Sequence, residues 1–158
     1  MDRRNVVCLS AISAIGLALF PANAIAQQKA DEDGVKAASK AFYEALSVLD
    51  NGEAMEKVWA HTTYVTYVGP RAKDIIVGWD KQKQYWADTN KLFEVRKPIL
   101  KEQHLHVNGN MAWEMGQEGG TAKMKTGANA DPNYIVTNVY EKIDGNWKIV
   151  SHHVQPKP

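Results

Sequence analysis

Apolar residues recur at three- and four-residue spacing through Val35, Ala38, Phe42, Ala45, Leu46 and Leu49. That is one stripe of an amphipathic helix, and Asp31 to Asp33 are candidates to cap its start. Asp50-Asn51-Gly52 ends it. A shorter helix is predicted over Glu53 to Ala60, with Met55, Val58 and Trp59 on one side. Thr63 to Val68, rich in β-branched and aromatic residues, reads as a strand. Gly69-Pro70 turns the chain into a second short strand, Ile75 to Val77. Asp80 can cap a third helix, whose stripe is Tyr85, Trp86, Thr89, Leu92 and Phe93.

From Glu94 onward the period changes to that of strands. Pro98 cannot donate to a ladder, so the first of these strands is expected at an edge or a bulge. Ile99 to Val107 runs into Asn108-Gly109, a hairpin signal, and Met111 to Thr126 returns with a bulge or bend expected at Gly119-Gly120. After a loop over Gly127 to Asn133, Tyr134 to Ile143 and Asn146 to Val154 form a second hairpin around Asp144-Gly145. The order α-α-β-β-α followed by four long strands is an α+β layout, with helices on one face of a curved sheet.

The turns sort side chains by face. In the first hairpin His104, His106, Met111, Trp113 and Met115 share one side, and Leu105, Val107, Ala112 and Glu114 the other. In the second, Val136, Asn138, Tyr140, Trp147, Ile149, Ser151 and His153 share one side, leaving Ile135, Thr137, Val139, Ile143, Val150, His152 and Val154 opposite. The mixed aromatic and polar sides have the composition of a small-molecule cavity. The aliphatic sides are expected to pack against a second copy, giving a homodimer. This turns Glu114 away from the cavity; it and Glu118 are the carboxylates of the long fourth strand.

Arg3 and Arg4 precede an apolar run from Val6 to Phe20, followed by Pro21 and Ala24-Ile25-Ala26. A basic start, a short apolar core and an Ala-x-Ala exit describe a signal peptide over residues 1–26, leaving one domain over 27–158 in the periplasm or outside the cell. The run is short of the roughly 20 residues of a membrane span, so no membrane association is expected after cleavage. Cys8, the single cysteine, lies within the run, so the domain is cysteine-free. Hydrophobic residues make up 44% and charged residues 23%, an ordinary folded composition, and a net charge of +1 gives no footprint for nucleic acid.

The chain resembles the SnoaL-like branch of the nuclear transport factor 2-like superfamily, the ketosteroid isomerase-type fold. The resemblance is carried by Leu46-Ser47-Val48-Leu49-Asp50-Asn51-Gly52-Glu53, Tyr64-Val65-Thr66-Tyr67-Val68-Gly69-Pro70, Gly78-Trp79, and the ending Asp144-Gly145-Asn146-Trp147-Lys148-Ile149-Val150-Ser151-His152-His153. It implies a cone-shaped, curved mixed sheet of about six strands with three helices on its concave face. It also implies a cavity between the two layers, and often dimers or rings. Catalytic branches place an acidic residue or a histidine inside the cone as base, beside a Tyr or Asp that polarises a carbonyl. Here the last four strands hold no Asp outside the turn residue Asp144, so a strand-borne Asp base is missing.

The candidate bases are therefore His153 and His106, with Tyr140 or Tyr64 as hydrogen-bond donor to a carbonyl oxygen. Trp59, Tyr67, Trp79, Trp86, His104, Trp113 and Asn138 are the expected lining for a small apolar or aromatic ligand. His104-x-His106 with His153 would suit zinc only if the two hairpins converged, which spacing does not fix, so no metal site is assigned. No phosphate loop or nucleophile elbow appears, and no cofactor is expected. The function expected is small-molecule binding, with proton abstraction, isomerisation or dehydration of a carbonyl compound as its chemistry. The alternative is a non-catalytic domain that oligomerises through the outer sheet face.

Overall fold

The computed structural model describes residues 20–158. Arg3, Arg4, Cys8 and most of the apolar run of the expected signal peptide lie outside the described residues. The elements are α1 (Phe20–Leu46), α2 (Glu53–Glu56), β1 (Thr66–Val68), β2 (Ile76–Val77), α3 (Trp79–Asn90), β3 (Phe93–Asn108), β4 (Met111–Met124), β5 (Tyr134–Ile143) and β6 (Asn146–Pro156). They form three helices and one six-stranded sheet, ordered β2-β1-β6-β5-β4-β3, with β1 parallel to β6 and the other pairs antiparallel. Among the described residues no helix is long and apolar enough to cross a membrane.

Helix α1 starts well before the acidic cluster expected to cap it. Its described early turns are good helix formers reinforced by Gln27–Asp31 and Lys29–Asp33 contacts of 3.0 and 2.6 Å. The helix packs only from its middle on: residues 23–30 are exposed, whereas Val35, Phe42, Tyr43, Ala45 and Leu46 are buried. Lys142 Nζ reaches Asp31 Oδ1 at 2.6 Å, and a Cβ on Gly34 would lie 2.7 Å from the Trp147 ring, so this point seats the helix on the sheet. Helix α2 stops at Glu56, short of Ala60; Asp50 accepts from the backbone N–H of Gly52 and Ala54, both at 2.8 Å, and sets its start.

The second hairpin turns where expected, on Asp144 and Gly145, both at positive φ. The first turns on Gly109-Asn110 rather than Asn108-Gly109, because Asn108 pairs with Met111. This slips the pairing by two residues and keeps the same side chains grouped together on each side of the hairpin. Pro98 lies on β3, the edge strand, as its missing donor requires. Gly119-Gly120 holds no register break; instead Gly120 takes φ +115°, and a Cβ there would come within 2.1 Å of the Lys97 carbonyl oxygen. The register breaks fall at Phe93/Val95, at Lys101/His104, where Glu102 has φ +52°, and at Val139/Tyr140, where β6 carries Val150 as the extra residue.

Candidate functional site

Two irregularities aim side chains into the cone. On β3 the inward positions are Arg96, Pro98 and Leu100 before the break, and Leu105 and Val107 after it. On β6 they are Trp147 and Ile149 before Val150, and His152 and Val154 after it. On β4 and β5 the even-numbered residues face inward without interruption, burying Ala112, Glu114, Glu118, Val136, Asn138 and Tyr140.

Behind α1, four donors converge on the fully buried Glu114 carboxylate. Ser39 Oγ, Asn138 Nδ2 and the Tyr140 hydroxyl donate to Oε1 at 2.8, 2.7 and 2.5 Å, and Gln103 Nε2 donates to Oε2 at 2.5 Å. Because the Asn138 amide nitrogen is committed to a carboxylate, its Oδ1 faces His152 Nδ1 at 2.6 Å and accepts from it. The proton therefore sits on Nδ1, and Nε2 is left as an acceptor. Burial, with the Arg96 and His153 charges adding to it, pulls the His152 pKa down from 6.5 to about 3, so the ring stays neutral. It stacks on Tyr67 with centroids 5.5 Å apart.

His152 borders an inner chamber of about 100 Å³, together with Tyr67, Tyr85, Arg96, Glu118 and Tyr134. The chamber shares Tyr67, Tyr85, Phe93 and Tyr134 with an outer cavity of about 440 Å³ whose mouth carries Arg71, Lys73 and Asp74. Glu118 is buried, and its Oε2 has no hydrogen-bond partner. Burial raises its pKa to about 7, although Arg96 and Tyr43 pull the other way. The Tyr43 hydroxyl lies beside Glu118 and Asn138 yet closes no hydrogen bond. Tyr67 and Tyr85 hydroxyls meet at 3.2 Å, and burial holds Tyr67 protonated. A carboxyl poised near neutrality, phenol donors and a neutral imidazole acceptor can together exchange a proton with a ligand and steady its oxygen. A groove of about 630 Å³ between α1 and β3 has its Ser39 and Gln103 committed to Glu114, and no buried carboxyl with a free oxygen lines it.

The SnoaL-like domain profile matches residues 35–154. The chain belongs to the SnoaL-like domain family. Solved structures share the fold. A candidate dehydratase of the nuclear transport factor 2-like family from Streptomyces avermitilis has a TM-score of 0.72 at 23% identity, covering 82% of this chain and 98% of that one. A nuclear transport factor 2-like superfamily protein from Salmonella enterica serovar Typhimurium gives 0.71 at 20% identity, covering 78% and 89%. The association domain of CaMKII from C. elegans gives 0.62 at 18%, covering 81% and 97%. No curated protein matches in sequence.

In this SnoaL-like domain the residues singled out from the sequence scatter. Tyr67 lines the chamber, and Asn138 and Tyr140 are buried in the Glu114 network behind it. Trp59 and Trp86 are core residues. Trp79 stacks on His61 beside a separate shallow pocket. Tyr64 is exposed and donates to Glu141 at 2.5 Å. His104, His106 and Trp113, expected inside, face outward with Met111 and Met115, so that the first hairpin's aromatic side is the solvent side. The reason is space: the face under the helices needs small residues such as Ala112 and Gly116, where a Cβ would already meet Leu100 at 2.7 Å. His153 is likewise exposed, because the Val150 bulge reverses the alternation and sends His152 inward. Glu114, assigned to the outside, is wholly enclosed. Among the described residues no three histidine, cysteine or acidic side chains gather as a metal site. Glu118, Arg96 and His152 were missed; the signal available for Glu118 was its even spacing from Glu114 on a strand otherwise free of carboxylates.

Proposed function

We propose that this SnoaL-like domain binds a small, largely apolar carbonyl compound in the cone and moves a proton on it with Glu118. The observation that carries the reading is a buried carboxyl with a free oxygen, at the inner end of an aromatic-lined cavity, with its pKa raised to about 7. Such a group takes and returns protons at neutral pH with little driving force in either direction. As carboxylate it would remove a proton from the carbon beside the carbonyl, and the Tyr67–Tyr85 pair would donate to the oxygen as negative charge develops there. Returning the proton to another carbon gives isomerisation; giving it to a departing hydroxide gives dehydration. His152 Nε2 would accept from a ligand hydroxyl.

Deuterium uptake from heavy water into acetophenone and 3-benzoylpropionate, followed by mass spectrometry, tests this. The protein should speed uptake into at least one, and Glu118→Gln should remove about 10²–10⁴-fold of that rate, with ligand quenching of tryptophan fluorescence retained. Uptake unaffected by the substitution would refute the role of Glu118.

A second reading is self-association through the outer sheet face, favoured by the exposed side chains of Ile99, Met111, Trp113 and Met115 on β3 and β4. It replaces the aliphatic surface expected from the sequence, and sedimentation of wild type against Trp113→Glu tests it. Export to the periplasm or beyond, by cleavage after Ala26, is part of the proposal; it is supported by the sequence of residues 1–26, and N-terminal sequencing of the exported protein should begin at Gln27.

A further inference from the structure

Arg96 enters the inner chamber from β3 without a carboxylate partner. Its guanidinium lies over Trp86 and Phe93, 5.5 and 5.2 Å from the ring centroids, and its one hydrogen bond, from Nη1 to Asn90 Oδ1, is long at 3.5 Å. A guanidinium has five N–H donors, so most of this fork is unclaimed. It lines the chamber together with Glu118 from β4, His152 from β6, Tyr67 from β1 and Tyr134 from β5. Among the described residues Glu118 forms no ion pair with it, and Oε2 of that residue meets no donor. At the mouth stand Arg71 and Lys73, neither of them in an ion pair among the described residues, against the single acid Asp74.

We propose that the ligand of this cavity carries a carboxylate and that Arg96 receives it. The inference rests on the reading of the cone as a ligand site and names the substrate class of that site: a small carboxylic acid with a flat or apolar body. Three features carry it. A cation held half-buried with no counter-ion is disfavoured until one arrives, and an incoming carboxylate supplies it. The ring faces of Trp86 and Phe93 hold the guanidinium, which limits its freedom before the ligand enters, and its fork can then make two parallel hydrogen bonds to a carboxylate. The walls that Tyr67, Tyr85, Phe93 and Tyr134 form around it suit the apolar remainder of such a molecule. Arg71 and Lys73 at the entrance draw the anion in.

Titration with benzoate and with its neutral isostere benzamide, followed by tryptophan fluorescence and confirmed by calorimetry, separates the outcomes. Benzoate should bind about ten- to a hundred-fold more tightly than benzamide, the range of a charged hydrogen-bonded contact. Arg96→Gln should erase that preference while leaving benzamide binding in place, and Arg71→Gln should slow benzoate association without erasing it. Equal binding of the two probes would overturn the carboxylate inference and leave the cavity reading standing. Binding of neither would remove both. A preference lost in Arg71→Gln and kept in Arg96→Gln would place the anion at the mouth and overturn the role given to Arg96. The comparison of the two probes on the unaltered protein needs no variant, so a misfolded Arg96→Gln leaves the test intact.

Discussion

Glu114 has no solvent exposure, yet as a carboxylate it is well accommodated, because Ser39, Gln103, Asn138 and Tyr140 all point donors at it. Removing the acceptor orphans four groups at once. Glu114→Leu is therefore expected to destabilise the fold by about 3 kcal/mol or more, the cost of leaving several buried donors unmet, as measured by urea unfolding. A loss below about 1 kcal/mol would mean that the donors find other partners. Glu114 and Glu118 lie four residues apart on one strand face but differ in what surrounds them. The first is saturated and acts as an anchor for Asn138 and, through it, His152; the second keeps a free oxygen and is the group with chemistry to offer. Sequence spacing alone made the two equivalent, and only the count of donors around each separates them.

At the level of the strand, a single extra residue decides which histidine enters the cone. Val150 interrupts the alternation of β6, so His152 faces Asn138 and His153 faces outward. His153→Gln should leave ligand quenching and urea stability within about 0.5 kcal/mol of wild type, as for an ordinary surface change. His152→Leu should cost about 1–3 kcal/mol by stranding the Asn138 carbonyl, and it should weaken ligand binding. The opposite ranking would show that the alternation runs unbroken. The element order, both hairpins and the helical stripes were legible because periodicity and turn chemistry are local. The bulges were not: Glu102 and Val150 are neither glycine nor asparagine, and nothing near them in the sequence advertises an extra residue. The inner side of the first hairpin was also hidden. Trp113 and His106 have the chemistry of a pocket lining, but the packing of α1 requires the slimmer side chains of the opposite face to turn inward.

Across the whole molecule, two buried groups with opposite shifts shape the response to pH. Glu118 titrates near 7 when folded and 4.5 otherwise, so the folded state keeps a proton that the unfolded chain releases, and stability falls as pH rises through that interval. His152 titrates near 3 when folded and 6.5 otherwise; the unfolded chain takes up a proton that the folded state refuses, and stability falls as pH drops below 6.5. Tyr43, Tyr67 and Tyr134, which face the same space, have their values raised and remain neutral throughout, and Arg96 stays charged. Between pH 4.5 and 6.5 the two slopes oppose, so unfolding free energy in urea should be nearly level. Glu118→Gln removes one of them, and stability should then fall by about 1.4 kcal/mol for each pH unit of acidification in that interval. A wild-type slope as steep as the variant's would refute the cancellation. The Asp31–Lys142 clasp has a consequence of another kind, for how the chain can be manufactured. It divides the first helix into a leading overhang that bears no load and a shaft seated on the sheet beneath Trp147. Trimming anywhere upstream of Asp31 would leave the shaft in its socket, so chains that start a residue earlier or later in the overhang should fold alike.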